Sequence, residues 1–272
     1  MGQIPITLAN GRAISFEVDL ERDGPAFFAL SVRKCGSSIF NMISKALGRA
    51  SGYNWVDMGG DFFKLNIMAR EYLDDPAIAE IIRPGNAYGG FRDFPSAFLK
   101  NESFRNDPKI FFIRDPRDAL VSQYFSDAYS HPVPKATAEG DTVTRHIQRQ
   151  RQSARDMSID EYVIANTRAM ARTMMSYKKI MDLPALTLLR YEDNILDKTS
   201  MMRAIGKAFG WRTDDQLIGL ILNWADVRPE QENPTAFVRK VTPGDHRDKL
   251  TPETIERLNE ELREPMELFG YR

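Results

Sequence analysis

A chain of 272 residues, 42% hydrophobic and 28% charged, can bury a full core and falls in the ~250-residue range of single α/β domains. Its 37 Lys and Arg against 38 Asp and Glu give a net charge of −1, which excludes whole-molecule attraction to nucleic acid or anionic lipid and confines any anion site to a local cluster. One cysteine excludes an internal disulfide, and three scattered histidines offer no ligand spacing, so no metal site is expected.

The opening MGQIPITLANGR has no basic stretch leading into an apolar one, so it is not read as a secretory signal. The best apolar run, AFFALSV, is far shorter than the ~20 residues of a membrane span. A soluble, cytoplasmic protein without stable membrane insertion is expected. ITLANGRAISFEV predicts a hairpin with a type I′ turn at Asn10-Gly11, an N-terminal extension over residues 1–24. AFFALS reads as a strand buried on both faces, RKCGSS as a short polar turn, and IFNMISKALGRA as a helix turning Ile39, Met42, Ile43, Ala46 and Leu47 inward.

NAYGGF reads as a weaker strand. The strand Lys109–Ile113 is followed by Asp115 as N-cap, Pro116 at the first helical position, and a helix through Ala119, Leu120, Gln123 and Tyr124. The polar stretch 130–158 reads as one long excursion, either a mobile loop or part of an acceptor side. ALTLLRYED predicts a third buried strand, with a helix around Met201–Phe209. Alternating strands and helices predict a single α/β domain over 1–272, a three-layer fold with a central parallel sheet flanked by helices. Ligands are then expected beyond the carboxyl ends of the strands.

Two segments carry chemistry. In SVRKCGSS, backbone N–H groups at a helix N-terminus form an anion cradle, Gly36 permits close approach, Ser37 and Ser38 add hydroxyls, and Lys34 places a cation at the rim. The lysine precedes the glycine, so this is not a Walker A loop. Asn41 stands six residues after Cys35, where a cysteine-based phosphatase loop needs arginine. An ordinary βα turn with a surface lysine is the alternative. In RDPRDALVS, Arg114 ends a strand and Ser122 lies about two helical turns after Asp115, a fork and a hydroxyl suited to a phosphate monoester. The alternative pairs Arg114 with Asp115 or Asp118.

Together these segments resemble the sulfotransferase superfamily that uses 3′-phosphoadenosine 5′-phosphosulfate (PAPS) and releases 3′-phosphoadenosine 5′-phosphate (PAP). Arg33-Lys34-Cys35-Gly36-Ser37-Ser38 is similar to the family's P-K-S-G-T-T loop for the 5′-phosphosulfate. Arg114 and Ser122 match its 3′-phosphate pair, eight residues apart. Tyr191-Glu192-Asp193 matches its Y-E-D triplet, whose tyrosine meets adenine, and Arg239-Lys240 with Gly244-Asp245 matches its late R-K-G-x-x-G-D segment. The tail Thr251–Tyr271 is similar too. The resemblance implies a P-loop nucleotide-kinase-like sulfotransferase fold, PAPS as co-substrate, PAP as product, no metal, and Lys34 at the bridging oxygen of the leaving nucleotide.

Departures from the pattern are Cys35 for serine, Ile39 for the aromatic that stacks on adenine, and Val241 for a glycine. Trp224 resembles a later aromatic and is read as adenine-stacking or as core packing. Aligning Phe91-Arg92-Asp93-Phe94-Pro95 with the family's K-T-H-L-P puts Asp93 at its catalytic histidine. Asp57 and Asp61 are the alternative bases, and His131 is an outlying candidate. Arg145, Arg149, Arg151 and Arg155 would steer an anionic acceptor or form a solvated helix face. The expected activity is sulfuryl transfer from PAPS to a hydroxyl or amine of a small-molecule, lipid or carbohydrate acceptor, with no nucleic-acid partner and a homo-oligomer left open. The alternatives are a P-loop kinase or NTPase and a non-catalytic nucleotide-binding interaction module.

Overall fold

In the computed structural model, which describes residues 1–130 and 141–272 with the backbone alone at 141–143, the elements run in chain order. They are β1 (Gly2–Thr7), β2 (Ala13–Val18), β3 (Phe27–Ser31), α1 (Ser37–Ala50), β4 (Asn54–Asp57), α2 (Met58–Lys64), β5 (Asn86–Gly89), α3 (Glu102–Asn106), β6 (Lys109–Ile113) and α4 (Pro116–Phe125). There follow α5 (Asp141–Arg155), α6 (Ile159–Ser176), β7 (Leu186–Arg190), α7 (Tyr191–Asn194), α8 (Lys198–Phe209), α9 (Asp215–Ala225), α10 (His246–Lys249), α11 (Pro252–Glu261) and α12 (Arg263–Phe269). They gather into two compact units: Met1–Ile113 with Lys179–Asp226, and Arg114–Lys178 with Val227–Arg272.

The first unit is organised by β3, whose five residues are all buried. Side chains alternate across a strand, so Phe27 meets Phe209 and Trp211 at ring separations of 5.3 and 5.1 Å, while Phe28 meets Tyr88, Phe98 and Phe104. A strand covered on both faces needs parallel neighbours with crossovers, and the five-stranded sheet has the order β4-β5-β3-β6-β7, parallel throughout. Helices α1 and α8 pack on one face; α3 and the short 3-10 turns Pro76–Ile81 and Ser96–Lys100 belong to the other. The expected three-layer α/β fold is therefore present. Truncating an aromatic such as Phe28 in a core of this kind costs about 3–5 kcal/mol.

Four local expectations change. The hairpin β1–β2 forms, but Asn10-Gly11 is not a type I′ pair. Gly11 N–H donates to Leu8 O at 2.8 Å, and Gly11 alone takes the left-handed region (φ 83°), the geometry of a type I turn closed by a glycine bulge. In α1 the buried face is Phe40, Ile43, Ser44, Leu47 and Gly48, whereas Met42 is exposed. Strand β7 is half-buried rather than buried, because it is the sheet's edge. Strand β4 was not expected from its four-residue sequence. In the excursion, 141–155 is the helix α5, and 131–140, with His131, lie outside the described residues.

The second unit is helical: α4 packs on α6, and α6 on α11 and α12. Among the described residues no helix is long and apolar enough to cross a membrane.

Lys109 begins β6 with its side chain fully buried. Its ammonium donates to the carbonyls of Arg105, Asp107 and Pro184 at 3.3, 2.6 and 2.8 Å. Burial lowers its pKa to about 8, against the opposing charge of Asp107. Between about pH 8 and the ordinary lysine value of 10.5, the unfolded chain holds a proton that the native state has lost, so stability contributed at this site rises with pH. Urea unfolding of wild type and Lys109→Met across pH 7–10 checks this: the wild-type advantage is expected to grow above about pH 8, and parallel curves would contradict it.

Candidate functional site

Strand β3 delivers its chain to the carboxyl edge of the sheet, and Ser31 Oγ ties that end to Phe112 O at 2.8 Å. A tight turn follows, with Cys35 N–H donating to Val32 O at 3.1 Å. Two residues here take left-handed backbone, Lys34 at φ 65° and Gly36 at φ 79°. Gly36 is required sterically as well, since a Cβ would lie 2.9 Å from Tyr191 Cδ2 and 3.0 Å from Phe112 Cε1. Gly36 caps α1 without a side-chain hydrogen bond, and the helix has no acid in its first turn. The first N–H groups and the positive dipole end are thus left for an anion beside Ser37 and Ser38. Cys35 is fully buried, a packing position rather than a rim position.

Arg33 N–H donates to Arg92 O at 2.9 Å, placing the segment after β5 alongside the turn. Arg92 Nη2 then reaches Ser38 Oγ at 3.4 Å. Asp93 is half-buried. Burial pushes its carboxyl up, and the charges of Arg33 and Arg92 only partly oppose that. Asp57 caps α2 by accepting from Gly60 N–H at 3.2 Å and accepts from Asn41 Nδ2 at 3.3 Å, with no room for a side chain at Gly90 beside it. Asp61 is held by Lys64 at 2.8 Å on the helix surface.

In the second unit, Asp115 caps α4 and pairs with Arg117 at 2.6 Å, leaving Arg114 to Asp118 at 3.4 Å. Asp118 is buried and accepts from Gly244 N–H at 2.7 Å, His246 N–H at 3.0 Å and His246 Nδ1 at 2.7 Å. Burial alone would raise its pKa, but the His246 side chain, the Arg114 charge and those two backbone donors outweigh it and hold the carboxyl well below the usual range. Arg239 pairs with Glu232 and Asp245 and lies over the Phe125 ring at 4.1 Å; Lys240 pairs with Asp245 at 2.8 Å. Ser122 is half-buried on α4.

A family model for the sulfotransferase domain matches residues 93–270. The chain belongs to that family. The match takes in Asp93, Arg114, Ser122, Tyr191, Trp224, Arg239 and Lys240, and it begins after the turn at Arg33–Ser38. No curated protein matches the chain. Among solved structures, a mouse sulfotransferase, SULT7A1, complexed with PAP is similar at a TM-score of 0.59 and 11% identity, over 91% of this chain and 86% of that one. Retinol dehydratase in complex with androsterone and inactive cofactor PAP gives 0.48 and 14%, over 93% and 84%. The first likeness concerns the fold.

The remaining positions in this sulfotransferase are less uniform. Tyr191 opens α7 directly after β7, buried, with its ring against Gly36. Trp224, at the end of α9, is 40% exposed, so core packing is not its role. On α5, Arg145 and Arg149 are exposed and Arg151 is half-buried, while Arg155 donates Nε–H to Ala128 O at 2.9 Å and lies over the Tyr129 ring. The Arg114–Asp118 pair, offered by the sequence as the alternative to a phosphate site, is present. Sequence reasoning missed Arg92, His246 and the ties from Asp118 to Gly244 and His246, for which no local spacing is a signal.

Left-handed backbone costs a non-glycine residue about 1–2 kcal/mol, so Lys34 is held at its place against its own preference. Lys34→Gly and Lys34→Ala both remove the cation, yet the glycine variant is expected to be more stable by about 1 kcal/mol. Urea denaturation decides: equal stability of the two variants would contradict the strained backbone.

Proposed function

We infer that this sulfotransferase moves the sulfuryl group of PAPS to a hydroxyl or amine of a small-molecule, lipid or carbohydrate acceptor, working as a single catalytic domain over 1–272 and releasing PAP. The acceptor oxygen or nitrogen attacks sulfur in line, the bond from sulfur to the bridging phosphate oxygen breaks, and the acceptor proton passes to a carboxylate. Such transfer depends on positioning and charge neutralisation more than on covalent help from protein. Lys34, within the Arg33–Ser38 turn, neutralises the bridging oxygen, while Ser37, Ser38 and the first N–H groups of α1 take the phosphosulfate oxygens. Arg114, Ser122, Arg239 and Lys240 take the 3′-phosphate, and Tyr191 and Trp224 serve the adenine.

The observation that carries this reading is the turn itself: an uncapped N-terminus on the 14-residue helix α1, entered through left-handed Lys34 and Gly36. Asp93 is the base the observations favour. It is half-buried beside Arg33 and Arg92, whereas Asp57 is committed to capping α2 and Asp61 to Lys64.

Transfer of labelled sulfate from PAPS to a panel of phenol, sterol, amine and oligosaccharide acceptors tests the reading, with γ-labelled ATP as control. Label from PAPS alone is expected; phosphate transfer from ATP would restore the kinase reading, and PAP binding without transfer would indicate a non-catalytic module. Lys34→Ala is expected to lower turnover by about 10²–10³-fold and Asp93→Asn by about 10²–10⁴-fold. Because burial raises the Asp93 carboxyl and a base works only when deprotonated, the acid limb of the rate profile should lie above the usual carboxylate range of about 3.9. An unchanged rate and limb in Asp93→Asn would move the base elsewhere.

A further inference from the structure

The stretch from Val227 to Asp245 contains neither helix nor strand, yet it carries Arg239 and Lys240. Without a backbone ladder, those cations are placed by side-chain ties. Glu232 and Asp245 tie Arg239, Asp245 and Asp248 tie Lys240, and Asp118 ties the turn that carries Asp245. Asp245 gathers Arg239 and Lys240, and its chain neighbours Gly244 and His246 are both held by Asp118, across 126 and 128 residues of sequence. Asp118 sits one turn into α4, with its side chain wholly buried, and also accepts from Arg114. Arg114 in turn donates to Thr242 O at 3.4 Å, closing the circuit onto the same stretch.

A carboxylate buried this completely is tolerated only when donors saturate it, and removing donors leaves an uncompensated charge. Four N–H donors from two distant stretches do so here. The acceptor also sets the imidazole: an ionised Asp118 oxygen 2.7 Å from His246 Nδ1 requires the proton on Nδ1.

We propose that Asp118 is a positioning residue for recognition of the nucleotide's 3′-phosphate, fixing Arg114 directly and Arg239 with Lys240 through the Gly244–His246 turn. This rests on the assignment of the 3′-phosphate to those cations. Asp118 touches no part of the nucleotide itself; it holds the groups that do. His246 is its working partner, so a residue that keeps a donor at the Nδ1 position preserves the arrangement and an apolar one does not.

Calorimetric titration with PAP and with ADP, which lacks the 3′-phosphate, tests this on the full chain. Wild type is expected to prefer PAP. Asp118→Asn should weaken PAP by about 10-fold or more, a loss of about 1.4 kcal/mol, while ADP changes by less than about 2-fold, because a positioning defect acts only on the 3′-phosphate. His246→Asn, whose amide nitrogen replaces Nδ1, should stay within about 3-fold of wild type for PAP, and His246→Leu should behave like Asp118→Asn. Should Asp118→Asn fail to fold, the two His246 variants decide. PAP and ADP weakening together, or His246→Asn and His246→Leu binding PAP equally, would overturn the proposal. A wild type indifferent to the 3′-phosphate would overturn the underlying assignment, whereas PAP preference intact in every folded variant would overturn only the role of Asp118.

Discussion

Parallel pairing of β3 between β5 and β6 constrains everything around the candidate site. A strand with Phe27 and Phe28 buried on opposite faces has no solvent side, so its polar chemistry can be placed only where the strand stops. There Ser31 is tied to Phe112 O, and the rings of Tyr191 and Phe112 close over the next turn so tightly that only Gly36 fits. Packing of the core thus forces the left-handed entry into α1, and that entry exposes the helix's first N–H groups. The strained backbone at Lys34 belongs to the same geometry, one instance of strain held in place by the structure around it.

Charge is handled differently in the two units. Around the β3–α1 turn, Arg33 and Arg92 stand close to one half-buried carboxylate, Asp93, whose pKa burial raises despite those cations. In the second unit, Arg114, Arg239 and Lys240 each already have carboxylate partners. On the proposed assignment an arriving phosphate joins a pre-arranged network, because these cations are already tied to Asp118 or Asp245. Pre-organisation of this kind spares the cost of ordering long side chains on binding. The chain's net charge of −1 conceals this, because acids and bases are concentrated at the same place.

Much of the architecture was legible in the sequence because its strongest signals were continuous apolar runs ending in turn residues. AFFALS and KIFFI gave β3 and β6, and Asp115-Pro116 marked the start of α4. Strand β4 escaped since four residues with polar ends carry too little periodicity to register. The buried face of α1 was misjudged by one residue: Phe40, not Ile39, points inward, a distinction that helical spacing alone does not make when Ile, Phe and Met are adjacent. Among the candidate site residues, turn composition singled out Lys34 and Gly36; the strand end at Arg114 and the helical position of Ser122 suggested that pair, and the family resemblance supplied its eight-residue spacing. The ties among Asp118, Gly244 and His246 were out of reach, since they join positions 126 and 128 residues apart and no local pattern encodes them.

The central claim is that this sulfotransferase recognises a nucleotide bearing a 3′-phosphate, and thermal unfolding of the wild-type chain tests it most directly. PAP at about 100 times its Kd should stabilise the native state by about 2.7 kcal/mol and raise the midpoint by several degrees. ADP, and ATP with magnesium, should shift it far less at the same concentration. An equal rise with ATP and magnesium would contradict the account.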